Sequence, residues 1–73
     1  MSFNKFIIVG NDINGDYTIS TVKPKYSKFF ETAIMLTEFG EWHMVKKYND
    51  KEAAIKGHKK YYNMSVNELD KII

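Results

Sequence analysis

Apolar and polar side chains alternate along much of the first two thirds of the chain, with the period of two residues expected of β-strands. Residues 3–9 are rich in Phe, Ile and Val, and residues 17–22 alternate Tyr, Ile and Thr with Thr, Ser and Val. The intervening residues 10–16 are typical of a turn, and Asn14-Gly15 suits the two central positions of a type I′ hairpin. The pattern predicts a first β-hairpin.

A second hairpin is predicted from residues 28–36 and 42–48, joined by the five residues 37–41. β-branched and aromatic residues favour strands in both segments. Placing the strand ends opposite each other across this connection fixes a register. The predicted pairs are Leu36 with Trp42, Ile34 with Met44, Phe30 with Tyr48, and Glu31 with Lys47, the last an attractive pair of opposite charges.

In this register both faces of the second hairpin are substantially apolar. One face carries Phe30, Thr32, Ile34, Leu36, Trp42, Met44, Lys46 and Tyr48. The other carries Phe29, Glu31, Ala33, Met35, His43, Val45 and Lys47. A helix is expected to cover one face, and the other needs a cover as well, which a second copy of the chain would supply.

Two helices are predicted after the strands. Asn49 followed by Glu52 fits a capping box, and the helix runs to about Asn63. Its sheet-facing residues recur at helical spacing: Ala54, His58, Tyr61 and Tyr62, with Ile55 alongside. Gly57 is unfavourable inside a helix by about 1 kcal/mol relative to alanine, so we expect it to face the sheet under a close contact. A second capping pair, Ser65 and Glu68, begins a short helix with Val66, Leu69 and Ile72 on one side.

The sequence therefore predicts an α+β fold, a four-stranded antiparallel sheet of two hairpins with one main helix packed on a face and a short C-terminal helix. With 73 residues the chain forms a single domain. A domain of this size buries only about 60% of its unfolded surface, and the absence of cysteine excludes disulfides. Self-association is the expected aid to stability, with a dimer favoured.

Few residues suggest catalysis, because the chain has no Gly-rich phosphate loop, HExxH or Gly-x-Ser-x-Gly motif. We expect no enzyme, no catalytic residue, no metal and no cofactor. His43, His58 and Glu31 make a zinc site conceivable, but a structural His58, hydrogen-bonded at the seam between helix and sheet, is the favoured interpretation. Glu31 is interpreted as the partner of Lys47 rather than as an acid or base.

Lysine supplies all eleven basic residues of a chain with net charge +2 and no arginine. Arginine is the preferred side chain for reading phosphate and guanine, so its absence weighs against a dedicated nucleic-acid binder. Phosphate contacts remain an alternative for a basic set of Lys46, Lys47, Lys56, Lys59 and Lys60, with Lys51 nearby. Trp42 and Tyr48 are either an aromatic platform for a base or, as favoured, packing residues. The expected contacts with a protein partner are Phe39, Trp42, Tyr61 and Tyr62.

One pattern spans residues 31–58: Glu31-Thr32, Trp42, Tyr48, Glu52-Ala53 and Gly57-His58. In this order it resembles a widespread group of short bacteriophage and prophage accessory proteins with an ETxxx…W…Y…EAxxGH pattern and no established activity. This chain has Ala33-Ile34-Met35 where that group usually has Met-Val-Phe. The resemblance implies a phage accessory product. Together with the small size, the lack of catalytic motifs and the two apolar sheet faces, it leads us to expect a protein that binds and modulates a host protein, in host takeover or anti-defence.

Two alternatives to that function stay open: an oligomer that sequesters a nucleotide signal, and a weak nucleic-acid binder. The longest apolar run, residues 6–9, is far shorter than the about 20 residues of a membrane-spanning helix. No basic segment followed by an apolar one opens the chain. We therefore expect no membrane association and a location in the cytoplasm of the infected host.

Overall fold

The fold is an antiparallel sheet with two helices on one side, as seen in a computed structural model that describes residues 6–38 and 40–72. Within these ranges the elements are β1 (Phe6–Asn14), β2 (Tyr17–Pro24), β3 (Phe30–Leu36), β4 (Glu41–Tyr48), α1 (Lys51–Tyr62) and α2 (Val66–Ile72). The strands pair in chain order, so β1 and β4 form the edges of the sheet. The predicted α+β class and order of elements are confirmed.

The first hairpin is longer than predicted. Residues 10–14, predicted as turn, belong to β1, and the loop consists of Gly15 and Asp16 between the paired residues Asn14 and Tyr17. Only Gly15, the first central residue, has a positive φ (61°), which is the pattern of a type II′ turn. The predicted type I′ turn at Asn14-Gly15 was therefore wrong by one residue.

The central strands β2 and β3 bury every second side chain. Tyr17, Ile19 and Thr21 are buried on β2, and Phe30, Thr32 and Ile34 are buried on β3. Alternation of this kind means that one face of the sheet packs against the core. That core has two apolar clusters. One consists of Tyr17, Ile19, Ile34 and Leu69, and the other of Phe30, Tyr48 and Ala54.

A β-bulge in β4 changes the register of the second hairpin. Phe30 pairs with Tyr48 and Glu31 with Lys47, as predicted. The register then shifts between Thr32 and Ala33, which leaves Val45 as the extra residue of β4. Beyond it the pairs are Ala33 with Met44, Ile34 with His43, Met35 with Trp42, and Leu36 with Glu41. The predicted pairs Leu36–Trp42 and Ile34–Met44 were wrong.

The bulge exchanges the faces of four residues of β4. Val45 packs against the buried cluster around Ile34 on the helix side, although strict alternation assigned it to the opposite face. Since paired residues project to the same side of a sheet, His43 also faces the helix side, where it is exposed. Trp42 and Met44 move to the face without a helix.

Helix α1 lies across the sheet with Ala54 and His58 buried. Its N-cap is Asp50, whose carboxylate accepts the backbone N–H of Ala53 at 2.8 Å. The predicted Asn49–Glu52 capping box was therefore wrong by one residue, and a charged side chain at this end also suits the positive pole of the helix dipole. The predicted end at Asn63 is confirmed, since Asn63 is the C-cap.

Helix α2 begins with the predicted capping box. The backbone N–H of Glu68 donates to the Ser65 hydroxyl at 3.1 Å, and the N–H of Ser65 donates to the Glu68 carboxylate at 3.0 Å. Hydrogen bonds from Ser65 to the carboxylate, first from its backbone N–H and then from its hydroxyl, lower the pKa of Glu68 below its ordinary value. Leu69 is fully buried, and the Tyr17 hydroxyl donates to the carboxylate of Asp70. Burial of Leu69 and the Tyr17–Asp70 hydrogen bond thus help to hold the short helix against the sheet.

Candidate functional site

A chain of hydrogen-bonded side chains runs through the interior between α1 and the sheet. Nε2 of His58 lies 2.7 Å from the Asp12 carboxylate, and Nδ1 lies 2.7 Å from the Thr21 hydroxyl. The hydroxyls of Thr21 and Thr32 are 2.6 Å apart, and the Thr32 hydroxyl donates to that of Tyr48 at 3.1 Å. Asp12 is half exposed, whereas the other four residues are buried. We refer to these five residues as the polar chain.

The proton of each hydroxyl couples the members of the polar chain. When Thr32 donates to Tyr48, Thr21 donates to Thr32 and accepts from Nδ1–H of His58. Thr21 and Thr32 therefore each accept one hydrogen bond and donate one, so neither buried hydroxyl is left without a partner.

Asp12, His58 and Thr21 have the order of an acid–base–nucleophile triad, but the geometry does not support acyl transfer. Thr21 has zero exposed surface, and its oxygen already contacts Thr32. A nucleophile needs space for a reacting carbonyl about 3 Å away. All buried side-chain polar atoms within the described ranges have a hydrogen-bond partner. These contacts confirm the expectation that His58 is hydrogen-bonded at the seam between helix and sheet.

Two glycines make room for the polar chain. A Cβ added to Gly10 would lie 2.5–2.9 Å from ring atoms of His58. One added to Gly57 would overlap with the hydroxyl and ring carbons of Tyr48. The expected close contact over Gly57 is confirmed. Sequence reasoning did not find Asp12 or Thr21; the available signal was that Thr21 and Thr32 occur in phase with buried isoleucines on their strands.

Two buried tyrosines are expected to make the folded protein less stable at alkaline pH. Burial raises the pKa of Tyr48, and donation to Asp70 raises the pKa of Tyr17, above the ordinary value of 10.0. Because the folded state favours the neutral phenols, their stabilisation is full below pH 10.0 and decreases as the pH rises through the raised values. We expect the midpoint of thermal denaturation to decrease as the pH is raised above 10.0. In an ultraviolet titration, two of the five tyrosines should ionise at a higher pH than the others. Tyr48→Phe should remove one late step; five coincident steps would contradict the assignment.

The face of the sheet opposite the helices, which we call the open face, consists of three rows across the four strands. The strand register aligns Ile13, Thr18, Met35 and Trp42 in the first row; Asn11, Ser20, Ala33 and Met44 in the second; and Ile8, Val22, Glu31 and Lys47 in the third. Ile8 and Ile13 on β1 and Trp42 and Met44 on β4 are large and apolar, whereas Ser20 and Ala33 in the middle of the second row are small. Ile8 and Ile13 are 68% and 66% exposed, and Trp42 and Met44 are 48% and 54% exposed.

This distribution of sizes forms a groove along the middle of the open face. The groove has a volume of about 370 Å³, with Ser20 and Ala33 on its floor. Ile8 forms one wall, and Trp42 and Met44 form the other. Exposed apolar surface of this kind on a small protein is typical of a binding site. The described part of the chain offers no helix or loop to cover it, since α1 and α2 pack on the other face.

Two opposite charges lie on the open face without contacting each other. Glu31 and Lys47 are cross-strand partners, which confirms the predicted pairing. The ammonium of Lys47 nevertheless lies over the Phe29 ring, 5.7 Å from its centroid. The ion pairs within the described ranges are Lys56–Glu52 and the His58–Asp12 contact. Glu31 lines the groove, so its carboxylate is available to a charge on a partner.

Of the four aromatic contact residues predicted from sequence, the three that the structure describes do not form one surface. Trp42 lies on the open face. Tyr61 packs against the core on the helix side, and Tyr62, 44% exposed, follows it at the end of α1. Phe39 lies outside the described residues. Tyr48 is 9% exposed and belongs to the core, so the suggested platform of Trp42 and Tyr48 is not formed.

The predicted basic residues are divided between the two sides of the sheet, and the conceivable zinc ligands are separated. Lys46 and Lys47 project to opposite faces of the sheet, while Lys56, Lys59 and Lys60 are exposed on α1. Glu31 is on the open face, whereas both nitrogens of His58 are occupied on the other side. No group of three or more potential ligands is close enough to hold a metal ion within the described ranges.

Comparisons of the chain with protein-family models, with curated proteins and with solved structures give no match. None of the helices within residues 6–38 and 40–72 is long and apolar enough to cross a membrane.

Proposed function

We propose that this protein is a non-enzymatic binding protein of the phage accessory type, which acts by docking on a host protein and modulating it. The observation that carries the proposal is the open face, where Trp42, Met44, Ile8 and Ile13 are each about half exposed or more. Leaving such a face in water is unfavourable for an isolated domain by about 25 cal/mol for each Å² of exposed apolar surface. A partner that covers it recovers that free energy.

The shape of the open face supports a protein partner. Trp42 is the kind of residue that dominates binding energy when a partner encloses it, and the groove beside it accepts an apolar side chain. Asn11, Ser20 and Glu31 add a few polar groups that would orient the partner. A mostly apolar surface with a small number of directed polar groups is the usual composition of an interface core.

The two alternative functions receive less support. A nucleotide signal would need phosphate-binding residues beside a stacking ring, and the groove contributes Glu31 but no lysine among its lining residues. Single-stranded nucleic acid would need several exposed aromatic rings along a basic surface. Trp42 is the sole aromatic residue in the three rows of the open face. Docking of a protein accounts for the arrangement better.

Capture of a partner from a bacterial host lysate tests the proposal. We expect the immobilised wild-type protein to retain a discrete host protein. Trp42→Ala should weaken the retained complex by more than about tenfold, as expected for an interface residue worth about 2 kcal/mol. Quantitative mass spectrometry of the eluates, followed by titration of the purified partner, measures both effects.

Tyr62→Ala is the matched control, because Tyr62 is an aromatic residue of similar exposure (44%, against 48% for Trp42) on the other side of the sheet. It should leave capture unchanged. Equal loss with both variants, or retention of no host protein by folded wild-type bait, would contradict the proposed recognition surface.

A further inference from the structure

We infer that the chain forms a weak, reversible homodimer in which β3 and β4 of the open face pack against β4 and β3 of a second copy. Self-association would regulate access to the recognition surface. The inference rests on the proposed function, in which the open face is that surface. In the dimer each copy covers part of the surface that the other would use. A host partner would then compete with self-association.

The charges on the open face select the symmetry axis. In a symmetric dimer the same patch meets itself, and aligned sheets pack with their strands within about 30°. A twofold axis parallel to the strands and between β3 and β4 keeps each row opposite the same row of the partner. It places Lys47 over the partner's Glu31 and Glu31 over the partner's Lys47. Within residues 6–38 and 40–72, neither charge has an ion-pair partner.

Neighbouring axes give worse electrostatics. An axis along β3 places Glu31 against the partner's Glu31, and like charges in contact repel. An axis between β2 and β3 places Glu31 over the partner's Val22 and Lys47 over the partner's Ile8. Both charges would then lose water without gaining a partner, which is costly. The axis between β3 and β4 is the parallel arrangement that pairs both.

The sizes of the side chains agree with the same axis. It places Met44, which is 54% exposed, over the partner's Ala33 on the floor of the groove. Trp42 meets the partner's Met35, and contacts between a thioether and an aromatic ring are favourable. The wall formed by β4 of one copy thus enters the groove of the other. Each copy supplies both a projection and a recess.

The area of this contact indicates a weak dimer. Each copy contributes two strands, of 7 and 8 residues. At about 3.3 Å per residue and about 4.8 Å between strands, this patch is well below the about 800 Å² per partner that is typical of stable complexes. We therefore expect monomers at low micromolar concentration and dimers at high concentration, with exchange fast enough for a partner to displace one copy.

Complementary charge variants test the inference on the purified chain alone. Sedimentation equilibrium of the wild type should show the mass rising from one chain toward two with concentration, with a parallel blue shift of Trp42 fluorescence. Glu31→Lys and Lys47→Glu should each weaken the dimer at least tenfold, because each homodimer then contains two like-charged contacts. An equimolar mixture of the two variants should regain the dimer, since both contacts become attractive again.

Lys46→Glu is the matched control, because Lys46 is the neighbour of Lys47 in β4 and projects to the other face. It makes the same change of charge and should leave the dimer intact. Circular dichroism checks that every variant is folded. If a variant does not fold, zero-length carbodiimide cross-linking of mixed light and isotope-labelled wild type replaces it and should join Glu31 of one copy to Lys47 of another.

The inference is overturned if the wild type has the mass of one chain at millimolar concentration. It is also overturned if folded single variants dimerise like the wild type, if their mixture stays monomeric, or if the cross-link forms only within one copy. No host protein enters these measurements. A monomeric wild type would therefore contradict the dimer without testing docking on a host protein. A failed capture would contradict the docking without testing the dimer.

Discussion

Replacing His58 with alanine is expected to lower the free energy of unfolding by about 3 kcal/mol, from the cavity left by a buried ring and the loss of two hydrogen bonds. Thr21 would lose its Nδ1 partner and Asp12 its Nε2 partner, both at 2.7 Å. A domain of this size has a stability of only about 4–11 kcal/mol, so the loss is a large fraction of the total. Urea denaturation followed by circular dichroism measures it.

His43→Ala is the matched control for this substitution. His43 is exposed on the edge strand, so the same change should alter stability by less than about 0.5 kcal/mol. Equal effects of the two substitutions would show that the polar chain contributes nothing specific. The comparison therefore separates the interior contacts of one histidine from general effects of removing an imidazole.

Replacing Gly57 with alanine is expected to destabilise the protein by about 2 kcal/mol or more, although alanine is the better helix former by about 1 kcal/mol. The added Cβ would overlap with the ring of Tyr48, which is buried and bonded to Thr32. Either the ring leaves its place in the core or α1 moves away from the sheet, and displacing a buried aromatic side chain costs about 3–5 kcal/mol. Thermal and urea denaturation measure the net effect.

Two further variants make this prediction specific. Lys56→Ala changes the adjacent, exposed position of α1 and should be nearly neutral. Combining Gly57→Ala with Tyr48→Leu, which removes the ring, should cost less than the sum of the two single changes, because the steric conflict is absent. Additive effects would mean that the glycine matters through backbone freedom and not through contact with Tyr48.

The polar chain shows why contacts between polar side chains in the interior are hard to predict from a sequence. Its members are residues 12, 21, 32, 48 and 58, each on a different element. Local patterns placed His58 on the sheet side of the helix and Gly57 under a close contact, because helical spacing and the rarity of glycine inside helices are local signals. Asp12 was assigned to a turn. Its role depends on the pairing of β1 with β2 and on the position of α1 above them.

The open face was predicted only in part. Alternation showed that both faces of the second hairpin carry apolar residues, and that remains true of the structure. The prediction placed Trp42 and Met44 on the same face as Phe30 and Ile34. They belong instead to the open face, because of the bulge at Val45. The alternation of apolar and polar residues does not show where a strand contains an extra residue. The position of the bulge depends on the packing of Val45 and Tyr48 against elements that are distant in the chain.

The sequence by itself determined the kinds of elements, their order and the α+β class, because alternation, helical spacing and capping residues act over a few neighbours. It also determined the capping box of α2 and the pairing of Phe30 with Tyr48. Only the tertiary structure decided where β4 bulges, which side chains remain on the open face and how five distant polar groups meet. Those features depend on the free energy of packing between elements, which no local pattern contains.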